Sequence, residues 1–342
     1  MMANDGVLAV VEACTAEAGI VHFEAERVYQ MEPRRGVDAE AHQIAGVGWY
    51  LRLMENDAEH ATRLLRRPVS LASQLVTTNA DALFVPDGKL FVPTELTRTG
   101  WVAEAQHGGP PCGLLAYAIE SVPTDREMHA ARITFDLMRA VPMTPLSVKT
   151  EVVRAGRRVQ VIVSSLFSND IEVARATALL IRVGTVPLPE SPLEPWEPVT
   201  LPDQLHVVEW KRWEHHADLT VFHRDAIEVR TVDESFWTPG RGLSWVRLLH
   251  PVVAGEAVTP LVRTATLADV ANANSMTLNP ANYLFVNPDV TLYLHREPVG
   301  DWLGMDSVAH QHETGIGVTD TSLFDTTGPV GHVNQAQLLE HR

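Results

Sequence analysis

Two stretches of the sequence match each other at a constant spacing of 157 residues. Ile133-Thr-Phe-Asp-Leu-Met-Arg139 resembles Val290-Thr-Leu-Tyr-Leu-His-Arg296, and Ser165-Leu166-Phe167 resembles Ser322-Leu323-Phe324. No gap is needed between the two matches, and further apolar positions coincide at the same spacing. An ungapped match over about 75 residues, mostly at apolar positions, indicates an internal duplication. The chain is therefore expected to contain two copies of one folding unit.

Each copy combines one helical segment with a run of strands. Small and apolar residues at 113–119 and at 267–273 predict helices that are packed on all sides. Asn169-Asp170 and Thr327-Gly328 are turn signals between the last two strands of each copy. A helix followed by an antiparallel meander is an α+β unit, so two copies make a pseudo-dimer within one chain. The strands are predicted near 130–142, 146–155, 158–168 and 172–183, and again near 286–296, 302–311, 315–324 and 329–339.

The regions outside the copies have a different composition. Apolar positions spaced along residues 1–77 predict a helical extension that caps the main body, with partner docking as its alternative role. Six prolines between residues 186 and 202 exclude a continuing sheet or helix, which indicates an extended linker. The predicted organisation is a helical extension, a first unit, a linker and a second unit, over residues 1–77, 78–185, 186–222 and 223–342.

The charge of the chain argues against one class of partner. The sequence has 27 Lys and Arg residues against 43 Asp and Glu residues, a formal net charge of −16. An acidic surface repels phosphate backbones, so a nucleic-acid-binding protein is not expected. The charge is distributed unevenly, because residues 130–182 hold eight basic and four acidic residues whereas residues 287–339 hold one and seven. The basic copy therefore still allows a local site for an anion.

Cysteine and histidine patterns predict neither a metal site nor a disulfide framework. Cys14 and Cys112 are far apart in the sequence, and neither belongs to a C-x-x-C motif. His310 and His312 have no third ligand at a useful spacing. No window approaches the roughly 20 apolar residues that cross a bilayer, and the first residues do not read as a signal peptide. We therefore expect a cytoplasmic protein with no membrane span and no bound metal.

Short motifs in both copies carry a family resemblance. They are Gln106-His107-Gly108-Gly109, the small-residue helix that follows it, Ile133–Arg139, Leu267-Ala-Asp269, Asn287–Arg296 and Val333-Asn-Gln335. These motifs resemble those of the acyl-CoA thioesterase II family, over about residues 80–342. The resemblance implies a double hotdog, in which an antiparallel sheet wraps a helix twice per chain. It also implies hydrolysis of acyl-CoA in lipid metabolism, without a metal or nucleotide cofactor, by a chain that forms a homo-oligomer.

The resemblance further implies an active site in the second copy. Family members use an Asp, a Thr, Ser or Asn, and a Gln to hold and activate a water molecule, and matching places Asp269, Asn287 and Gln335 in those roles. The place expected for a hydroxyl is taken by Asn287, whose amide orients water but lacks a hydroxyl. A slower, differently tuned or absent activity is therefore open. A non-catalytic acyl-CoA or acyl-lipid binding protein is the alternative function.

The internal duplication tests this assignment independently of the family. Subtracting 157 from the three positions gives Cys112, Ala130 and Ala178, and none of these side chains is suited to position or deprotonate water. Polar groups inside a fold cost stability unless they are hydrogen-bonded, so polar residues opposite mostly apolar counterparts favour a functional site. The alternative is that the two amides only satisfy backbone groups while Asp269 is half exposed.

Two further segments are predicted to contact the substrate. Backbone N–H groups of the Gly108-Gly109 turn are suited to binding an oxyanion at a helix start, since glycine allows close approach. A plain helix-entry turn is the alternative. His107 belongs to the same binding motif and is expected to have a structural role and no catalytic one. The CoA phosphates are expected to contact the basic turn of Arg154, Arg157 and Arg158.

Two other enzyme classes are disfavoured by the sequence. A hotdog dehydratase or hydratase needs an Asp/His pair near the helix, and the second predicted helix contains no histidine. A serine hydrolase of the α/β class needs a G-x-S-x-G turn that exposes the nucleophile, and no such motif occurs. Hydrolysis by an activated water is the chemistry that the remaining motifs favour.

Overall fold

The computed structural model describes most of the chain after residue 80. The helical extension predicted over residues 1–77 lies outside the described residues. No helix within them is both long and apolar enough to cross a bilayer. The described ranges are 81–190, 196–210, 218–232, 237 and 239–341.

An antiparallel sheet of thirteen strands dominates the described residues, and three α-helices accompany it. The helices are α1 (Gly109–Glu120), α2 (Pro260–Ala268) and α3 (Ala271–Asn274). The first six strands are β1 (Phe84–Asp87), β2 (Leu90–Pro93), β3 (Met128–Asp136), β4 (Leu146–Ala155), β5 (Val159–Ser168) and β6 (Ile171–Arg182). The other seven are β7 (Ile227–Thr231), β8 (Gly242–Leu248), β9 (Tyr283–Val286), β10 (Asp289–Leu294), β11 (Trp302–His312), β12 (Ile316–Asp325) and β13 (Gly328–His341).

The strand order repeats on the two sides of the sheet's centre. It runs β1-β2-β4-β5-β6-β3-β10-β13-β12-β11-β8-β7, and β9 pairs with β13 off this path. Read outward from the central β3–β10 pair, each side holds the three other strands of its meander in the same order and ends in a two-stranded hairpin. The sheet therefore has the same sequence of neighbours in both directions from its centre.

The central pair joins corresponding residues of the two sequence copies. Thr134 of β3 lies opposite Thr291 of β10, and their hydroxyl oxygens are 3.4 Å apart. These two threonines are 157 positions apart, which is the spacing of the sequence match. Ile133 and Leu292, which pair beside them, are both buried. The two matching segments thus meet at the middle of one continuous sheet.

Helix α1 is buried on nearly every side. Pro110 and Pro111 in its first turn need no N–H partner, and their fixed φ favours helix initiation. Cys112, Leu114 and Leu115 follow and are fully buried. The helix packs on strands β4, β5 and β6 and on α2. Its start is therefore held in the interior, next to the second helix.

Two glycines allow α1 and α2 to approach each other closely. A side chain at Gly109 would place its Cβ 2.4 Å from the Thr266 backbone oxygen, and one at Gly113 would collide with the Thr266 hydroxyl. That hydroxyl donates to the Val262 carbonyl at 2.7 Å, so it is already fixed within α2. Glycine at these two positions therefore determines how near the start of α1 lies to the end of α2.

The second helix differs from the prediction of a single helix over 267–273. Helix α2 begins at Pro260, where the Thr259 hydroxyl accepts a hydrogen bond from the Val262 N–H at 3.2 Å and caps the first turn. It ends at Ala268, and the short α3 begins only at Ala271. Asp269 therefore lies in the break between two helices instead of within one.

Two hairpins and a short pairing were missed by the sequence analysis. The hairpins β1–β2 and β7–β8 each precede a helix and form the outer ends of the sheet path. Val207, within the segment predicted as linker, bridges Arg230 of β7, and the Val208 N–H donates to the Val229 carbonyl at 2.8 Å. The described linker residues before Pro202 contain no helix or strand. The proposed domain boundaries stay predictions.

A buried ion pair predicts how the stability of the sheet depends on pH. Asp325 is buried at the end of β12 and accepts hydrogen bonds from Arg296 Nη2, the Val299 N–H and the Thr327 N–H, all within 2.8 Å. Burial favours the neutral acid, but Arg296 and the other donors outweigh it and hold the pKa of Asp325 well below its usual range. A carboxyl with a depressed folded-state pKa stabilises the fold above its unfolded-state pKa, about 3.9, and this contribution is lost as the pH falls further.

We therefore expect the free energy of unfolding to decrease steadily below about pH 5. Urea unfolding at a series of pH values measures it. Asp325→Asn should be less stable than the unaltered protein at pH 7 and should lose less stability on acidification. Asp203→Asn, at an exposed carboxylate, is the control and should keep the original slope. Equal slopes for all three proteins would contradict the assignment.

Candidate active site

Asp269 occupies a buried position at the end of α2. Its side chain is 5% exposed, and its backbone N–H donates to the Leu267 carbonyl as the helix ends. The sequence analysis left open a half-exposed Asp269, and the structure excludes that alternative. A buried carboxylate needs charged or hydrogen-bonding partners, because loss of hydration is costly.

Two side chains from distant parts of the chain contact this carboxylate. Asn287, which follows β9, donates from Nδ2 to Asp269 Oδ1 at 2.7 Å. His107, which precedes α1, places Nδ1 2.7 Å from Asp269 Oδ2. The Gly109 N–H also donates to the carboxylate. Gly108 lies so close that a Cβ there would be 2.8 Å from both oxygens. The start of α1 therefore encloses the carboxylate at the end of α2.

These contacts determine the ionisation of Asp269. Burial alone would favour the neutral acid, but the charge of His107 and hydrogen bonds from His107, Asn287 and the Gly109 N–H outweigh it. The pKa of Asp269 consequently lies below its ordinary value. Asp269 is thus a carboxylate at neutral pH and is able to accept a proton.

Gln335 contacts the same residue through the main chain. Located on β13 and 1% exposed, it donates from Nε2 to the Asp269 backbone oxygen at 3.4 Å. Its Oε1 is buried, and no described residue donates to it. An unpartnered buried oxygen is costly, so a ligand or water is needed to satisfy it. The structure therefore brings Asp269, Asn287 and Gln335 together, with one acceptor oxygen unused.

A chain of buried polar groups supports Asn287 from behind. Asn272 of α3 donates from Nδ2 to Asn287 Oδ1 at 3.2 Å, and Gln337 donates from Nε2 to Asn272 Oδ1 at 2.6 Å. Gln337 also donates to the Thr319 hydroxyl at 3.0 Å. With its oxygen accepting from Asn272, the Asn287 amide must point its nitrogen at Asp269. Asn287 therefore orients the carboxylate.

The supporting residues Asn272, Gln337 and Thr319 were not singled out from the sequence. One signal was present, because Gln335 and Gln337 are alternate residues of a strand and so project to the same face. Two inward-facing amides on a strand whose other inward positions are mostly apolar indicate a polar network. Asn272 carried no comparable local signal.

Family models match both halves of the chain. The model of the acyl-CoA thioesterase N-terminal domain matches residues 97–181, and the model of the C-terminal domain matches residues 199–339. The chain belongs to the acyl-CoA thioesterase family. The family resemblance inferred from the short motifs is therefore confirmed. No curated protein sequence matches the chain significantly.

Solved structures share the fold at low sequence identity. A candidate thioesterase II from Thermobifida fusca YX is 17% identical with a TM-score of 0.57, covering 75% of this chain and 95% of its own. A candidate thioesterase from Novosphingobium aromaticivorans DSM 12444 is 19% identical with a TM-score of 0.57, covering 77% and 97%. A protein of unknown function with a hot dog fold from Alicyclobacillus acidocaldarius is 15% identical with a TM-score of 0.57, covering 76% and 96%. These likenesses show the hot dog fold.

In this thioesterase-family chain, the counterparts of the polar cluster are apolar and buried. Cys112, Ala130 and Ala178 all lie in the interior. Burial, and then the nearby Asp269 carboxylate, raise the pKa of the Cys112 thiol, so that it stays protonated. The polar cluster therefore exists in one half only, although both halves have the same arrangement of strands.

The position of His107 removes one argument against a hotdog dehydratase or hydratase. The sequence analysis expected a structural role, and it disfavoured an Asp/His pair because the second helix has no histidine. The structure forms that pair with a histidine from the other half of the chain, 2.7 Å from Asp269. The His107 ring packs against Phe222 at 4.9 Å between centroids. The histidine of this Asp/His pair thus comes from the segment before α1 and not from the second helix.

The arginines predicted to bind CoA phosphates lie away from this cluster. Arg154, Arg157 and Arg158 are exposed at the β4–β5 hairpin. The strand pairing places this hairpin beside the start of β3, because Gln160 pairs with Leu180 and Leu180 pairs with Ala130. Asn287 lies beside the other end of β3, because it is two residues before Asp289, which pairs with Asp136. Ala130 and Asp136 of β3 are six residues apart, which corresponds to about 20 Å along the strand. The structure therefore does not bring the three arginines into contact with Asp269.

The Gly108-Gly109 turn also differs from the expected arrangement. The Gly109 N–H, a candidate for binding an oxyanion, donates to the Asp269 carboxylate and lies 3.3 Å from His107 Nδ1. Pro110 and Pro111 have no N–H, and the Cys112 N–H donates to the Gly108 carbonyl at 3.2 Å. The Gly108 N–H is thus the remaining free donor of this turn within the described residues.

Proposed function

We propose that the protein hydrolyses acyl-CoA thioesters to a free acid and CoA, within two hotdog units joined in one chain. Family membership and the repeated strand order support this proposal. The observation that carries it is a buried, ionised Asp269 held by Asn287, next to Gln335. Gln335 donates to the Asp269 backbone oxygen, and its own Oε1 has no partner among the described residues. Such a cluster provides a base and a second acceptor for one water molecule.

In the proposed mechanism, Asp269 accepts a proton from the attacking water. Gln335 Oε1 accepts the second O–H of that water and keeps its lone pair directed at the thioester carbon. Asn287 keeps the carboxylate in place through its bond to Oδ1. The low pKa of Asp269 ensures that the base form is present at neutral pH, at the expense of base strength.

The Gly108 N–H is the proposed donor to the oxyanion that forms on the thioester carbonyl. It is the free donor of the turn next to Asp269, and a backbone N–H stabilises developing negative charge without reorganising. The CoA phosphates are proposed to contact Arg154, Arg157 and Arg158, because all three side chains are exposed at the β4–β5 hairpin. Exposed guanidinium groups suit phosphate recognition.

Release of free thiol from acyl-CoAs of increasing chain length tests the proposal. We expect thiol release with at least one chain length. Tight binding of acyl-CoA without thiol release would favour the binding-protein alternative, which the amide at Asn287 motivates. Enoyl product from a 3-hydroxyacyl-CoA without thiol release would favour a dehydratase, which the His107–Asp269 pair now permits. Self-association, a role in lipid metabolism and a cytoplasmic location stay predictions.

A further inference from the structure

The amide of Asn287 must be oriented in a way that a hydroxyl in its place need not be. A hydroxyl rotates to donate or accept, whereas an amide has a donor end and an acceptor end that each need a suitable partner. Asn287 is half-buried in the segment between β9 and β10, and its nitrogen donates to the Asp269 carboxylate at 2.7 Å. The oxygen end of this amide therefore also needs a fixed partner.

That partner belongs to a chain of amides that continues beyond Gln337. Asn272 donates to Asn287, and Gln337 donates to Asn272. Gln337 Oε1 in turn accepts from Gln311 Nε2 at 3.2 Å, and the Gln311 side-chain oxygen accepts from the Thr277 hydroxyl. Every amide directs its nitrogen towards the carboxylate and its oxygen away from it. The chain thus has one direction, because reversing any of its amides would bring two oxygens or two nitrogens together.

A glycine in the middle strand allows two of these amides to meet. Gln311 of β11 and Gln337 of β13 both pair with Gly317 of β12. A Cβ at Gly317 would lie 2.5 Å from Gln337 Oε1 and 3.0 Å from the Gln311 Cγ. Gly317 does not have a positive φ, and its counterpart 157 positions earlier is Gln160. The strand itself accepts a side chain here, so the contact between the two amides accounts for the glycine.

The first copy has the same arrangement of strands without these amides. Asn272 and Gln337 correspond to Leu115 and Leu180, which are both buried. A buried amide must first lose its hydration, so amides in place of leucines add a cost that the fold does not require. Their presence in the copy that contains Asp269 therefore indicates a role in the site.

We propose that Gln337 is a positioning residue for the hydrolysis and acts through Asn272 and Asn287. It fixes the orientation of the Asn287 amide, so that the nitrogen stays on Asp269. This role rests on the proposed function and adds to it a residue that does not touch the substrate. Without the chain, the Asn287 side chain rotates and the carboxylate loses a fixed donor, while acyl-CoA still binds. The expected consequence is a slower chemical step at unchanged affinity.

The double variant Asn272→Leu/Gln337→Leu removes the chain and restores the residue types of the first copy. Both partners of one hydrogen bond become apolar together, which avoids leaving either of them unpaired. We expect kcat for thiol release to fall about tenfold while KM stays within about twofold. Thermal unfolding checks the fold. Thr321→Val is the matched control and should keep full kcat, because the buried Thr321 hydroxyl donates to Ser307 in a separate cluster. Full kcat in the folded double variant would overturn the role of Gln337.

A double-mutant cycle separates positioning from a general disturbance of β13. Asn287→Ala removes the amide through which Gln337 is proposed to act. Adding Gln337→Leu to Asn287→Ala should therefore lower kcat by less than about twofold further. A general disturbance of β13 would also displace Gln335, which is two residues away, and would lower kcat in both backgrounds. Equal losses from Gln337→Leu in the two backgrounds would overturn the role.

Gly317→Ala tests the chain without changing a polar group. Its methyl would press on the Gln337 amide, so we expect kcat to fall severalfold with KM unchanged. Unchanged kcat in this variant, with the fold retained, would contradict the role of the chain. Failure of these variants to slow an active enzyme would overturn the positioning role alone. Absence of thiol release by the unaltered protein would overturn the proposed function itself, and this role with it.

Discussion

Replacement of Asp269 by asparagine is expected to lower kcat/KM for acyl-CoA hydrolysis by about three orders of magnitude. The amide has the same shape and keeps an oxygen able to accept from Asn287 Nδ2, but it is not a base. Because the amide fills the same space in the interior and removes a buried negative charge, the fold should survive. Steady-state thiol release with purified variant measures the effect, and thermal unfolding checks the fold.

An exposed aspartate provides the control for this substitution. Asp320 lies on β12 with its side chain 55% exposed and is not part of the buried cluster. Asp320→Asn changes the formal charge by the same amount and should keep the original kcat/KM. Activity of Asp269→Asn within threefold of the unaltered protein would remove Asp269 from the mechanism, whatever the family of the chain.

Replacement of Gly109 by alanine is expected to destabilise the protein by about 2–3 kcal/mol. The new Cβ would lie 2.4 Å from the Thr266 backbone oxygen and 3.1 Å from the Phe222 ring, so α1 must move away from α2. For a chain of 342 residues, that corresponds to a decrease in Tm of roughly 3–4 °C. Activity should fall as well, because the same movement separates His107 and Gly108 from Asp269. Differential scanning calorimetry and the thiol assay measure the two effects.

Gly184→Ala is the matched control for the packing argument. Its nearest neighbour would be the Arg182 guanidinium at 3.7 Å, which is ordinary contact distance, and the position is exposed. Its Tm should change by less than about 1 °C. An unchanged Tm in Gly109→Ala would mean that the close approach of the two helices is not required for stability.

The repeated strand order was predictable because the sequence contains two matching copies of the same unit. The spacing of 157 residues places Thr134 opposite Thr291 at the centre of the sheet. Long strands with alternating burial, such as β5 and β12, were found close to their observed bounds. An alternation of apolar and polar residues over ten positions is long enough to predict a strand and its approximate ends.

The elements that were missed carry weak or contrary local signals. Strands β1 and β2 have four residues each and contain Pro86 and Pro93, and proline argues against a strand except at edges and ends. These strands exist because they lie at one end of the sheet path, where β2 pairs with β4. The break at Asp269 was hidden for a similar reason, since residues 267–273 look uniformly helical and only tertiary contacts divide them.

The candidate site was partly predictable for the same physical reasons. Asp269, Asn287 and Gln335 were found by matching motifs and by comparison with their apolar counterparts. The contact between His107 and Asp269 was missed because the two residues are 162 positions apart in the sequence, and no local pattern reports such a contact. The supporting amides Asn272 and Gln337 are linked to Asn287 only in three dimensions.

A single-turnover reaction in H₂¹⁸O tests the central claim most directly. With protein in excess over acyl-CoA, direct attack by the water held at Asp269 puts ¹⁸O into the released acid in the first turnover. Mass spectrometry should find that label in the acid and none in the peptide that contains Asp269. Unlabelled acid together with ¹⁸O on the Asp269 carboxylate would show that Asp269 attacks the thioester itself, and would contradict the mechanism.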